Sequence, residues 1–217
     1  MRYSDPLPNR ASAAASAAAA RKAVLLDKDG TLVVDVPYSV DPAKLCFTAN
    51  ALAAMQRLDR AGYALVVVTN QPGIATGRFS RGDFIALQKA LTQRIRDEAG
   101  VELTGFMTCP HAPDASGAPA CLCRKPAAGL LRQASLAHRL DLQRSWMVGD
   151  ILNDIEAGRR AGCRTILLDV GNETEWRTSP LRTPHHRAAD LLEAAQIILQ
   201  SDAAPAAALA VAQRQEA

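Results

Sequence analysis

Asp27 and Asp29 stand one residue apart at the end of the apolar run Ala23-Val24-Leu25-Leu26, and Gly30-Thr31 follows them directly. Two carboxylates this close are costly to bring together unless a metal or a reaction uses them. Three more polar positions share that setting. Thr69, with Asn70 and Gln71 behind it, ends the apolar run from Ala64 to Val68. Asp150 follows Trp146-Met147-Val148-Gly149, and Lys125 stands just ahead of a helical pattern. Phosphoryl transfer asks for such a set: a nucleophile in line with the leaving oxygen, and cations around the equatorial oxygens. A carboxylate nucleophile splits the displacement into two easier steps through an acyl phosphate. Paired carboxylates also suit Mg²⁺, which prefers oxygen ligands and keeps waters for its substrate. Singly, each residue has an ordinary alternative: Asp29-Gly30 as a turn, Gly149-Asp150 as a loop before a helix, Lys125 as a solvated charge. Their joint occurrence at the ends of apolar runs is what argues for a site.

A second constellation is Cys109-Pro110-His111, then nine intervening residues, then Cys121-Leu122-Cys123. Three thiolates and one imidazole suit a closed tetrahedral Zn²⁺ site, and four protein ligands leave no open position, so such a metal would be structural. Cysteines can also serve as small core hydrophobes, but Pro113, Asp114 and Gly117 make the intervening stretch a polar loop. Cys123 abuts Arg124 and Lys125, so a zinc-braced loop would aim both cations. Cys46 and Cys163 read as buried small residues. His185-His186 reads as loop, because adjacent side chains point apart and no further ligands cluster nearby.

These residues need elements that deliver them to one edge. A continuous apolar run reads as a strand buried on both faces, as in a parallel sheet covered by helices. Ligands of such sheets sit beyond the carboxyl ends of the strands. Asn50 is positioned to cap a helix carrying Leu52, Met55 and Leu58 and closed by Gly62. Ser80 and Asp83 form a capping-box pattern opening a helix with the stripe Phe84, Leu87, Leu91 and Ile95, closed by Gly100. Gly105-Phe106-Met107 reads as a short strand. A helix after Lys125-Pro126 carries Leu130, Leu131, Leu136 and Leu140, and another runs from about Asn153 to Gly162. Thr165 to Leu168 is a further strand, and His185 to Gln200 holds a terminal helix. The alternation predicts an α/β domain with a doubly wound parallel sheet. Neither residues 33–63 nor 72–123 leave room for a large cap domain.

The expected organisation is a low-complexity N-terminal extension over 1–22, a phosphatase domain over 23–200 and an Ala-rich C-terminal tail over 201–217. Arg2, Arg10, Arg21 and Lys22 against Asp5 already account for the formal charge of +3, so the rest of the chain is neutral. That speaks against nucleic acid as a partner. No apolar run is long enough for a membrane span, and the Ala/Ser stretch lacks the large apolar residues of a signal peptide. Five cysteines without a disulfide pattern fit a reducing cytoplasm. The chain is expected to act as a monomer on a small phosphorylated molecule.

Asp27-Lys28-Asp29-Gly30-Thr31, Thr69, Lys125 and Gly149-Asp150 with Asp154 resemble, in order and spacing, the four motifs of the haloacid dehalogenase (HAD) superfamily. Within it the chain resembles the heptose-bisphosphate phosphatases and the related histidinol-phosphate phosphatases. The resemblance implies that Asp27 attacks phosphorus and that Asp29 serves as acid and then base. It implies Mg²⁺ on the Asp27 and Asp150 carboxylates and the Asp29 carbonyl, with Asp154 orienting metal waters, and Thr69 and Lys125 steadying the phosphoryl group. It also implies a zinc loop followed by an Arg-Lys pair whose arginine, here Arg124, recognises substrate. Asp35 and Tyr38 match positions in the family's substrate loop, and Asn70 and Gln71 share the same edge. Ala112 replaces a common second histidine, and Ile151 stands where a lysine is common, which puts the particular sugar in question. The readings to separate are a heptose bisphosphate phosphatase, a histidinol-phosphate or other small-molecule phosphatase, a nucleic-acid end phosphatase, and a non-catalytic zinc scaffold.

Overall fold

The computed structural model describes residues 20–202; residues 1–19 and 203–217, which carry most of the expected extension and tail, lie outside them. The chain alternates β1 (Ala23–Leu26), α1 (Ala51–Arg60), β2 (Ala64–Asn70), α2 (Arg81–Ala99), β3 (Gly105–Cys109), α3 (Gly129–His138), β4 (Trp146–Gly149), α4 (Leu152–Ala161), β5 (Arg164–Leu168) and β6 (His186–Ala188). A last helix, α5, covers 191–202. The six strands form one parallel sheet in the order β3-β2-β1-β4-β5-β6.

The apolar runs are continuous because both faces of the sheet are covered. Val24 and Leu26 of β1 pack with Met55 of α1, Leu91 and Ile95 of α2 and Ile198 of α5. Ala23 and Leu25, pointing the other way, pack with Leu130 and Leu131 of α3 and Ala157 of α4. Leaving β1 the chain builds outward through β2 and β3, then returns to lay β4 on the other side of β1. The strand order therefore reverses between β1 and β4, which is where ligands of open α/β sheets bind. Asp27 follows β1 and Asp150 follows β4 at this switch point. No large cap interrupts the described chain: between β1 and α1 lies only irregular chain with one 3₁₀ turn, Pro42–Lys44.

Ser80 and Asp83 form the expected capping box on α2, the Ser80 hydroxyl accepting from the Asp83 N–H at 3.1 Å and Asp83 accepting from the Ser80 N–H at 3.0 Å. Other local expectations need correction. Asn50 precedes α1 in a left-handed conformation and does not cap it; its amide instead donates to Asp190 at 2.7 Å, tying α1 to the start of α5. Leu136 is exposed and Leu140 lies beyond the end of α3, so the inner face of that helix is Leu130, Leu131 and Ala134. Cys46 is exposed, while Cys163 is buried as expected. His186 opens β6 rather than a loop; a strand of three residues, the first two exposed and Ala188 buried, gives no alternation to read. Arg21 and Lys22 are part of the fold, the Arg21 N–H donating to the Arg139 carbonyl and Lys22 pairing with Asp202. Among the described residues no helix is long and apolar enough to cross a membrane.

Candidate active site

The ends of β1, β2 and β4 and the segment before α3 bring Asp27, Asp29, Thr69, Asn70, Gln71, Arg124, Lys125 and Asp150 around one cavity of about 370 Å³ that opens to solvent. Asp27 is placed by its own N–H, which bonds the Val148 carbonyl and carries the β1–β4 pairing one residue past the strand. Its carboxylate accepts from the Lys28 N–H at 2.7 Å and lies 2.7 Å from the Lys125 ammonium. Gly30, at φ +77°, then turns the chain sharply, and a Cβ there would fall 2.1 Å from an Asp150 oxygen. Glycine is required on both counts. The turn aims the buried Thr31 hydroxyl back at Asp150, to which it donates at 3.0 Å.

Lys125 is buried; its ammonium donates to the Val68 carbonyl at 2.9 Å and forms ion pairs with Asp27 and Asp154, each at 2.7 Å. Burial lowers the ammonium's pKa, but the Asp154 and Asp27 carboxylates outweigh it and hold the value above the ordinary lysine range. Burial pushes Asp27 up to about 7, with Lys125 opposing and Asp154 and Asp29 adding to the rise. Burial likewise raises Asp150 to about 6, helped by the charge of Asp27 and opposed by hydrogen bonds from Asn172 and Thr31. Asp154 is also raised, by burial first. Three carboxylates share one cation here, so the site is short of positive charge.

The Asp27, Asp150 and Asp154 oxygens lie within 4.8 Å of one another, a grouping that could hold a metal ion. Hard oxygen donors and a deficit of positive charge fit Mg²⁺. The Asp29 side chain is outside this grouping: one oxygen contacts the buried Lys28 ammonium and the other accepts from Gln71 at 2.8 Å. Gln71 also donates to the Thr69 hydroxyl at 3.0 Å, linking two of the expected catalytic side chains. Asn70 has a job the sequence does not show. Its amide exchanges two hydrogen bonds of 3.0 Å with the Lys125 backbone, so it fixes the lysine's approach as well as lining the cavity. Asp35 and the exposed Tyr38 also line the cavity, the Arg78 guanidinium lying 5.0 Å from the Tyr38 ring. Asn172, carried by the loop after β5, donates to Asp150 at 2.8 Å and carries no motif that would have announced it.

Cys109, His111, Cys121 and Cys123 also come together, with sulfur–sulfur and sulfur–Nδ1 separations of 3.2 to 3.6 Å. No pair is joined by a disulfide. A tetrahedral Zn²⁺ with bonds of about 2.0 to 2.3 Å spaces its ligands by roughly 3.5 to 3.8 Å, so this donor set and its size suit zinc. Burial would raise the Cys121 thiol, but hydrogen bonds led by the Arg124 N–H bring it down to about 7. Burial pushes the Cys109 thiol up to about 12. The Arg124 N–H donates to the Cys121 sulfur at 3.3 Å and its guanidinium to the His111 carbonyl at 3.3 Å, so the loop and the cation are physically joined. Among the described residues these two clusters are the only groups of three or more such side chains close enough to share a metal.

Fold and site together define a phosphatase of the HAD type. The family described as HAD-hyrolase-like matches residues 122–194. The D-glycero-beta-D-manno-heptose-1,7-bisphosphate 7-phosphatase of Haemophilus ducreyi is 41% identical over 150 residues, covering 68% of this chain and 82% of that one. The protein of the same name from Photorhabdus laumondii is 37% identical over 174 residues, covering 78% and 88%. The crystal structure of the D,D-heptose 1,7-bisphosphate phosphatase of B. bronchiseptica, complexed with magnesium and phosphate, superposes with a TM-score of 0.68 at 29% identity. It covers 83% of this chain and 99% of that one. The chain belongs to the heptose-1,7-bisphosphate 7-phosphatase family.

Proposed function

We propose that this phosphatase removes the 7-phosphate of D-glycero-D-manno-heptose 1,7-bisphosphate through a phospho-aspartate on Asp27. The observation that carries the chemistry is the Lys125 ammonium at 2.7 Å from both Asp27 and Asp154, at the point where the strand order reverses. Kinship to enzymes of that name supports the substrate. So does an open, polar cavity rimmed by Arg124, Asp35 and Tyr38, which suits a small multiply charged sugar.

An Asp27 oxygen attacks phosphorus, and the bond from phosphorus to the sugar oxygen breaks as Asp29 gives that oxygen its proton. Water then loses a proton to Asp29 and attacks phosphorus, breaking the bond to Asp27 and releasing inorganic phosphate. Both Asp29 oxygens are engaged by Lys28 and Gln71, so proton transfer requires Asp29 to exchange one of these partners for the leaving oxygen. The Lys125 charge lies against the attacking carboxylate, and the Thr69 hydroxyl faces the same cavity, where both can stabilise negative charge as it shifts. Asp27, Asp150 and the Asp29 carbonyl would hold Mg²⁺, with Asp154 behind them. Bound there, Mg²⁺ supplies charge neutralisation to the phosphoryl oxygens. Cys109, His111, Cys121 and Cys123 would hold a structural Zn²⁺, and unpaired thiols of this kind suit the cytoplasm.

The test is a comparison of kcat/KM over heptose bisphosphate, histidinol phosphate and nucleotide phosphates with Mg²⁺ present. Heptose bisphosphate should lead and lose a single phosphate. A higher value for histidinol phosphate would overturn the substrate assignment while leaving the chemistry in place.

A further inference from the structure

Residues 169–183 leave β5, run along the cavity wall and reach β6. Three of their side chains grip the carboxylate that follows β4 or the start of α4. Glu173 accepts from the Leu152 N–H at 2.6 Å, satisfying one of the free donors at the start of that helix. Arg182 reaches Glu156 at 2.9 Å, also donates to Asn153, and bonds the Arg177 carbonyl at 3.2 Å. Immediately before the first anchor, Asn172 donates to Asp150 Oδ2 at 2.8 Å, while Thr31 donates to Oδ1 at 3.0 Å. A carboxylate only accepts, so the amide must present its NH₂ group here.

The fit is close. A Cβ on Gly30 would fall 2.5 Å from the Asn172 amide nitrogen as well as on Asp150, so the amide is packed over the turn that follows the nucleophile. We propose that Asn172 is a positioning residue for Asp150: with Thr31 it fixes the rotation of that carboxylate in the orientation that completes the group with Asp27 and Asp154. This rests on reading that group as the Mg²⁺ site. Each Asp150 oxygen takes one protein hydrogen bond and keeps lone-pair capacity for a cation. Without the amide, Oδ2 loses its partner, the carboxylate turns more freely, and metal binding must supply the ordering. Asn172 also lines neighbouring cavities of about 650 and 280 Å³, so contact with substrate is the competing role.

The experiment pairs Asn172→Leu, similar in size but without donors, with Asp150→Asn in the full chain. Mn²⁺ binding is followed by paramagnetic resonance, and phosphate release from the sugar bisphosphate is followed against Mg²⁺. Asn172→Leu should weaken Mn²⁺ about 10- to 100-fold and raise the Mg²⁺ needed for half-maximal rate by the same factor. Substrate KM at saturating Mg²⁺ and the unfolding midpoint in EDTA should match the parent, and Asn172→Ala should reproduce the pattern. Unchanged Mn²⁺ affinity, with or without a rise in substrate KM, overturns the proposal. Asp150→Asn separates the two layers of the argument. If it binds Mn²⁺ like the parent, the metal reading itself fails. If it loses Mn²⁺ while Asn172→Leu keeps it, only the role of Asn172 falls.

Discussion

The two side-chain clusters that could hold metals are built in opposite ways. Asp27 and Asp150 are more than a hundred residues apart in sequence and meet only because β1 and β4 pair. Cys109, His111, Cys121 and Cys123 fall within fifteen residues of chain, from the buried end of β3 into a loop whose His111 is exposed. The carboxylates are held by the sheet, by Lys125 and by donors from Thr31 and Asn172. The second cluster is tied to the sheet at Cys109, whose carbonyl accepts from the Gln71 N–H, and beyond that by Arg124 bonds to the Cys121 sulfur and the His111 carbonyl and a Gly129 bond to the Leu122 carbonyl. The difference teaches a division of labour. The fold shapes the first cluster before any ion arrives, whereas an ion would shape the loop around the second.

The comparison can be broken at either cluster, and the largest effect belongs to the first. Asp27→Asn should lower Mg²⁺-dependent phosphate release by on the order of 10⁴-fold or more, with an unchanged circular dichroism spectrum. Turnover near the parent's would remove Asp27 as nucleophile. Lys125→Met leaves Asp27 and Asp154 facing each other in a buried site without their cation. Urea unfolding of metal-free protein should show a loss of about 3 to 5 kcal/mol, partly recovered when Mg²⁺ is added. A variant as stable as the parent would mean that the sheet alone holds the carboxylates.

Smaller effects are expected at the second cluster. Removing its metal with a chelator should cost about 10- to 100-fold in kcat/KM by loosening Arg124 and Lys125, with the sheet intact by circular dichroism. Elemental analysis before treatment should give about one zinc per chain. Global unfolding on chelation would show that the loop supports the fold and not only the site. The smallest effect is at Cys46, which is exposed and apart from the cluster. Cys46→Ser should leave zinc content unchanged and stability within about 0.5 kcal/mol.

Much of this was legible in the sequence because burial on both sides of a parallel sheet leaves long apolar runs, and polar residues at their ends stand out. The Ser80–Asp83 box, the glycines closing α1, α2 and α4, and the Cys109–Cys123 ligand set were readable for local reasons. The failures share a cause as well. Asn50 has the right residue type for a helix cap, but Asp190, far along the chain, takes its amide. Leu136 sits in a helical pattern, yet it falls on the face of α3 away from Leu130, Leu131 and Ala134 and is exposed. Residue type alone points Cys46 to the core, yet it is exposed. Asn172 follows Val170-Gly171, where asparagine reads as an ordinary turn residue.

The sequence by itself determined the chemical inventory: a carboxylate pair after a buried strand, a lysine, a third and fourth aspartate, and three thiols and an imidazole at a spacing that suits zinc. It did so because residue type and near-neighbour spacing are properties of the chain alone. Only the tertiary structure decided how that inventory is wired. It set the Lys125 ammonium against Asp27, Asp154 and the Val68 carbonyl, turned Asn70 toward the lysine backbone, and brought Asn172 onto Asp150. Hydrogen bonds between residues tens of positions apart are set by strand order and loop path, which no short stretch of sequence contains.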